Sequence, residues 1–273
     1  MDREFPIINI EGTDFVVDIT KFELIEKSNP SNSIRFEDMR DVGDGYTFEY
    51  SHKDKNLPGL FNNESTTVKI PEFVKIDPIG MAEKYGFKLE DIKGKTDFEV
   101  MVDQKAFDAR VNKGMLPTID IAGHTFYVDI RMDMLRPKDD FLSKGIVFDE
   151  IDHYFSEERN AYLIPYDPKT HEFRELDYDR LVEIPKDLIA VEFPFQRELD
   201  PVGWNRQGGW DIKEDLKHIG LKSHFIANTV SWAETYIKDV IKDNRQKLEE
   251  QSKKEKPAVK PEPDPRKGKG RKM

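Results

Sequence analysis

The chain has no cysteine among its 273 residues. Disulfides, thiolate nucleophiles and zinc sites built on sulfur are therefore excluded, and a reducing compartment is favoured over a secreted one. No run approaches the roughly 18–20 apolar residues that span a bilayer. The start, Met1-Asp2-Arg3-Glu4-Phe5-Pro6, lacks the basic and then apolar stretches of a signal peptide. The expectation is a cytoplasmic protein without a membrane partner.

Catalytic motifs are missing as well. There is no P-loop, G-x-G-x-x-G or G-x-S-x-G, and nothing marks a Ser/His/Asp set. None of His52, His124, His153, His171, His218 and His224 stands at a recognised metal spacing. Neither a catalytic residue nor a metal nor a cofactor is expected. Binding is favoured over turnover.

What is present is aromatic and charged. Eighteen Phe show that packed cores can form, while 36% charged residues imply heavily solvated surfaces. The net charge of -11 is unevenly placed. From Lys253 onward nine Lys/Arg stand against three Asp/Glu, a local balance of +6, so the body before them carries -17. An acidic body repels nucleic acid, and a basic tail attracts it.

The strongest pattern is an internal repeat. Phe5-Pro6-Ile7-Ile8-Asn9-Ile10-Glu11-Gly12-Thr13-Asp14-Phe15-Val16-Val17-Asp18-Ile19 recurs as Leu116-Pro117-Thr118-Ile119-Asp120-Ile121-Ala122-Gly123-His124-Thr125-Phe126-Tyr127-Val128-Asp129-Ile130. The offset is 111 (116 minus 5) without a gap, and Leu24 extends the match to Leu135. Weaker matches follow in order: Tyr46 and Tyr50 with Tyr162 and Tyr166, Ile70-Pro71 with Ile184-Pro185, and Asp77-Pro78-Ile79-Gly80 with Asp200-Pro201-Val202-Gly203. Apolar residues at period two predict a half-buried strand pair around a turn at Gly12 or Gly123. Tyr46–Tyr50, Tyr162–Tyr166, Thr66–Ile70 and Leu181–Ile184 predict further strands. Met81 to Gly86 predicts a short helix.

The sequence thus predicts an α+β chain. It comprises two tandem β-rich repeats, each an antiparallel sheet with a short helix, and a C-terminal helix. The expected units are 1–96, a linking strand and helix over 97–113, a second repeat over 114–222, the helix over 223–252, and a basic disordered tail over 253–273. Ile226, Val230, Ala233, Ile237 and Val240 supply the predicted helix's apolar stripe, with Trp232 at its edge. The repeat, with its Asp77-Pro78-Ile79-Gly80-Met81-Ala82-Glu83-Lys84-Tyr85-Gly86 segment, resembles a group of uncharacterised proteins carried on mobile elements of gut bacteria. That resemblance implies a bacterial cytoplasmic setting, linked to DNA transfer or to host–element conflict. It attaches no activity or site residue.

Several acidic clusters invite a chemical interpretation and are better explained as structure. Asp149-Glu150-Ile151-Asp152-His153 combines carboxylates with an imidazole, but a charge run in an acidic chain is usually a solvated face. Asp18 and Asp129 share one repeat position, and strand alternation points both away from the apolar face. Asp41-Val42-Gly43-Asp44-Gly45 lacks the ligand spacing of a calcium loop and predicts a turn.

The most distinctive stretch runs from Phe193 to Trp210. It holds two of the three Trp, together with Arg197 and Arg206, and the first copy lacks these Trp and Arg residues. Trp and Arg dominate binding hot spots. Arg197, Trp204, Arg206 and Trp210 are therefore the candidate contact residues for a protein partner; filling the core is the competing role for the two Trp. Arg266, Lys267, Lys269, Arg271 and Lys272 are candidates for nucleic-acid phosphates. No interleaved aromatics support base stacking there. The expected function is a non-enzymatic interaction or adaptor protein, with a nucleic-acid accessory factor as the alternative and an enzyme with an unrecognised site as a third possibility.

Overall fold

A computed structural model describes residues 3–60 and 64–255. Strands β1 (Ile7–Ile10) and β2 (Thr13–Asp18) form a hairpin in which Ile8 faces Phe15. Glu11 and Gly12 both take positive φ, 47° and 83°, the combination a type I′ turn requires. β3 (Glu23–Glu26) and β4 (Ser33–Arg35) complete a four-stranded antiparallel sheet. β5 (Arg40–Asp41), β6 (Gly45–Tyr50) and β7 (Thr66–Pro71) form a second sheet. Phe15, Leu24, Tyr46, Tyr50 and Phe73 are buried in one core. Then come α1 (Phe73–Ile76), α2 (Pro78–Tyr85) and α3 (Leu89–Ile92). Asp77 caps α2 by accepting the Gly80 N–H at 2.9 Å, Pro78 fills the first turn, and Gly86 closes the helix in the left-handed region.

The expected linking strand is absent. Residues 97–113 instead begin with two helices, α4 (Asp97–Met101) and α5 (Gln104–Val111). Local capping decides this: Thr96 and Glu99 form a reciprocal capping box, and Asp103 accepts the Lys105 and Ala106 N–H groups. Each satisfies backbone donors that a strand would leave open.

In the second half β8 (Thr118–Ile121) and β9 (His124–Asp129) pair with Ile119 facing Phe126, around Ala122 and Gly123 at φ 50° and 85°. β10 (Met134–Pro137) and β11 (Ile146–Val147) extend this sheet, followed by α6 (Phe148–Ile151). Strands β12 (Phe155–Ser156), β13 (Ala161–Asp167), β14 (Glu172–Phe173) and β15 (Ile189–Pro194) build the next sheet. Here the expectation for Leu181–Ile184 fails. That segment is irregular, and Tyr162 pairs with Phe193 as Tyr46 pairs with Ile70. Phe193-Pro194, rather than Ile184-Pro185, thus occupies the place of Ile70-Pro71, because the intervening loop is longer.

Two further short helices follow, α7 (Gln196–Leu199) and α8 (Pro201–Gly208), and then α9 (Leu216–Ile219). The C-terminal helix starts later than expected. Residues 223–230 hold β16 (His224–Ile226), which runs parallel to β8, and β17 (Asn228–Val230), which pairs with β15. Open sheet edges capture this segment, and Ile226 is exposed. A short turn containing half-buried Trp232 leads to α10 (Ile237–Glu255). Ile237, Ile241 and Asn244 form its buried stripe, and Asn244 donates to the Tyr178 and Leu181 carbonyls at 2.6 and 3.0 Å. Among the described residues no helix is long and apolar enough to cross a membrane.

The two halves meet at a third, smaller core of Val102, Ala106, Val202, Leu216 and Leu221. Lys217 of α9 reaches across, its ammonium donating to Asp41 Oδ1 at 2.8 Å and the Gly43 carbonyl at 3.2 Å. His218 stacks on Phe36, with ring centroids 4.2 Å apart. Beneath them the Tyr46 hydroxyl donates to Asp97 at 2.6 Å, and Asp97 also accepts the Phe73 and Val74 N–H groups. Burial pushes both the Tyr46 phenol and the Asp97 carboxyl up.

Candidate functional site

Helix α8 is a rigid platform. Asp200 caps it, accepting the Gly203 N–H at 2.9 Å, and Pro201 fills its first turn. Gly209 ends it at φ 73°, and the Trp210 N–H donates to the Asn205 carbonyl at 2.9 Å. From the last turn of α5, Arg110 clamps Asp200 through two of its nitrogens, Nε to Oδ1 at 2.9 Å and Nη2 to Oδ2 at 2.7 Å. Arg3 and Asp77 make the corresponding ion pair under α2.

The candidate contact residues divide by role. Trp204 is half-buried, edge-on to Phe195 at 5.5 Å between ring centroids, and Trp210 lies 6.4 Å from it. Trp210 itself is 53% exposed. Arg206 is exposed, and among the described residues its one hydrogen bond is long, 3.4 Å to the Val111 carbonyl. Arg197 is engaged by Asp215, so its charge serves an internal ion pair. A Cβ on Gly208 would lie 2.6 Å from Trp210 Cε3, so the ring is laid directly over a bare glycine backbone. Arg266, Lys267, Lys269, Arg271 and Lys272 lie outside the described residues.

Beside this platform the structure opens a basic cleft that the sequence did not announce. It has two lobes of about 620 and 610 Å³, which share Arg110, Gly114, Leu116 and Arg136. Lys138, Lys222 and Tyr127 line one lobe; Arg131, Arg206 and Asp129 line the other. Arg136 is braced by Asp129 at 3.6 Å and lies 4.9 Å over the Tyr127 ring. Among the described residues no carboxylate pairs with Arg131, Lys138, Arg206 or Lys222. The only available sequence signal was the contrast with the matched positions of the first half, where Arg131 and Arg136 correspond to Thr20 and Ile25.

The acidic positions serve structure. Asp18 and Asp129 are buried rather than turned to solvent, because the turns that follow β2 and β9 fold back over them. Asp18 accepts from the Thr20 N–H and hydroxyl and from the Lys21 N–H; Asp129 accepts from Met132. Asp149, Glu150, Asp152 and His153 are exposed around buried Ile151, a solvated face. His124 stacks on His171 at 3.8 Å, and burial, with the neighbouring imidazole, holds the His124 pKa below its usual range. Among the described residues no group of three His, Asp or Glu is placed to hold a metal ion. Comparison of the chain with protein families, with curated proteins and with solved structures finds no match.

Proposed function

We propose that this chain is a non-enzymatic interaction protein whose second half carries the contact to a protein partner. The observation behind this reading is Trp210: half exposed, yet held in one place by Trp204, Gly208 and the closing turn of α8. A large ring fixed before binding loses little conformational entropy on association, and such aromatic anchors contribute most of the energy of an interface. Exposed Arg206 stands on the same helix.

The chain is further proposed to be a duplication. Supporting this, the β1–β2 and β8–β9 hairpins share one register at an offset of 111 (118 minus 7), and Val17 and Val128 donate to the Pro6 and Pro117 carbonyls at 2.8 and 2.9 Å. The first unit then supplies the scaffold and the second the diverged contact face. We take that partner to belong to a bacterial transfer or conflict system, the setting that the resemblance to mobile-element proteins implies.

The test is affinity capture from a bacterial lysate with the full chain and its Trp210→Ala and Arg206→Ala variants in parallel. A stoichiometric protein retained by the parent and lost from both variants is expected. A partner that remains on both variants moves the contact elsewhere, and the absence of any such partner removes the proposal. The alternative, a nucleic-acid accessory factor acting through residues 253–273, rests on charge alone. It demands binding that weakens steeply with salt and disappears with that segment.

A further inference from the structure

The basic cleft runs against the character of the molecule. The chain carries -11, yet the cleft gathers Arg110, Arg131, Arg136, Lys138, Arg206 and Lys222. Asp129 lines it and Asp200 lies behind Arg110, so the local balance is six cations against two carboxylates, or +4. Four of them, Arg131, Lys138, Arg206 and Lys222, have no carboxylate partner among the described residues, and their summed field attracts an anion into the cleft.

The fold does not need three of these cations. On the duplication reading, the positions of Arg131, Arg136 and Arg206 are held in the first half by Thr20, Ile25 and Glu83. There Lys84 lies across the equivalent region, its ammonium donating to the Thr20 carbonyl at 2.8 Å and sitting 4.2 Å over the Phe22 ring. The same hairpin-and-helix frame therefore stands without arginines at these three positions. Arg131, Arg136 and Arg206 are additions to that frame, whereas Arg110 and Lys138 have counterparts in Arg3 and Lys27.

Size and charge select the ligand. Each lobe, near 600 Å³, lies in the range of small-molecule sites. A long polyanion would leave the cleft and run over a body that is acidic overall, whereas screening confines a compact ligand's interactions to about 10 Å. Guanidinium forks match phosphate oxygens in pairs, and a balance of +4 calls for an anion of three or four charges. Tyr127, Met115 and Pro117 give one lobe an apolar wall for an organic portion. We propose that the cleft between α5, β9–β10 and α8 is a binding site for a compact organic polyphosphate, of the class of nucleoside di- and triphosphates. The phosphate chain is held by Arg131, Arg136, Lys138 and Arg206, and the organic portion lies toward Tyr127.

The test is isothermal titration of the full chain with inorganic tripolyphosphate, adenosine triphosphate and orthophosphate. The comparison proteins are Arg131→Ala/Lys138→Ala and Trp210→Ala, each first shown to melt like the parent. Arg131 and Lys138 are exposed, so the double variant retains its core. Saturable one-to-one binding is expected for the triphosphates, with orthophosphate far weaker. Each lost charge-assisted bond weakens binding about tenfold, so the double variant loses about a hundredfold while Trp210→Ala binds normally. Adenosine triphosphate binding more tightly than tripolyphosphate assigns the apolar wall to the organic portion. Equal affinity of the two overturns that part and leaves a polyphosphate site. No saturable binding, or binding unchanged in the double variant and hence located elsewhere on the chain, overturns the site itself. Because Trp210→Ala spares the cleft and Arg131→Ala/Lys138→Ala spares the platform, failure of this site and failure of the protein-partner proposal are read separately.

Discussion

Replacing Arg110 by methionine tests whether one ion pair holds α8 in place. Asp200 has a fully buried side chain, and Arg110 is 11% exposed. The methionine keeps most of the apolar stem, so the loss is electrostatic. Without the guanidinium, Asp200 retains only the Gly203 N–H and remains a buried charge without a counterion. Removing one partner of such a pair costs about 3–5 kcal/mol. For a chain of this size that corresponds to a fall in Tm of roughly 6–20 °C. Urea unfolding followed by circular dichroism should show the midpoint fall with little change in slope. Adding Asp200→Asn removes the buried charge, so the double variant should be less destabilised than the sum of the two singles by about 1–3 kcal/mol. Arg3→Met should cost less than Arg110→Met, since Arg3 is 22% exposed. If Arg110→Met shifts stability by less than about 0.5 kcal/mol, the range of an ordinary surface change, the pair does not hold the platform and the reasoning about α8 is wrong.

Phe15→Ala and Phe126→Ala remove fully buried rings from matched positions and should each cost about 3–5 kcal/mol in chemical denaturation; a small loss at either would show that its hairpin is not a core element. Glu26 is held down to about 2 by hydrogen bonds from Asn32 and Ser28 and by Lys55. A carboxyl depressed on folding stabilises above its unfolded value, and that stability is lost as pH falls from the usual 4.5 toward 2. Glu26→Gln should therefore flatten the acid limb of a stability-against-pH curve in that window, and an unchanged limb would exclude the effect. Gly208→Ala adds a methyl group where the Trp210 ring lies; it should shift Trp fluorescence and weaken partner capture about as much as Trp210→Ala does, while helix content stays constant. Ending the chain at Lys222 removes β16, β17 and α10 and opens edges of two sheets; that protein should aggregate or melt earlier, and an unchanged monomer would show that these elements are peripheral.

The sequence by itself determined the local pieces. Period-two apolar residues specify β1, β2, β8 and β9, because register and buried face are coupled in a strand. Asp77 and Asp200 before Pro, with Gly86 and Gly209 beyond, specify two capped helices of equal length, because these residues satisfy or release backbone groups within a few positions. The stretch ending at Trp210 was recognisable from composition, as Trp and Arg gathered beside one such helix. Tertiary contacts decided the rest. Residues 224–230 carry a spacing compatible with a helix, yet they are strands, since the free edges of β8 and β15 offer hydrogen bonds that an isolated helix turn cannot match. Leu181–Ile184 has a strand's composition but no strand beside it; Phe193 occupies the place opposite Tyr162, and only the pairing could choose between them. Alternation alone turned Asp18 and Asp129 outward, while the turns that follow each strand keep them buried as acceptors. The basic cleft draws its cations from α5, β9–β10, α8 and the approach to β16, separated by up to 112 residues (222 minus 110). No window of sequence holds them together, and only the docking of α5 and α8 through Arg110 and Asp200 sets them around one space.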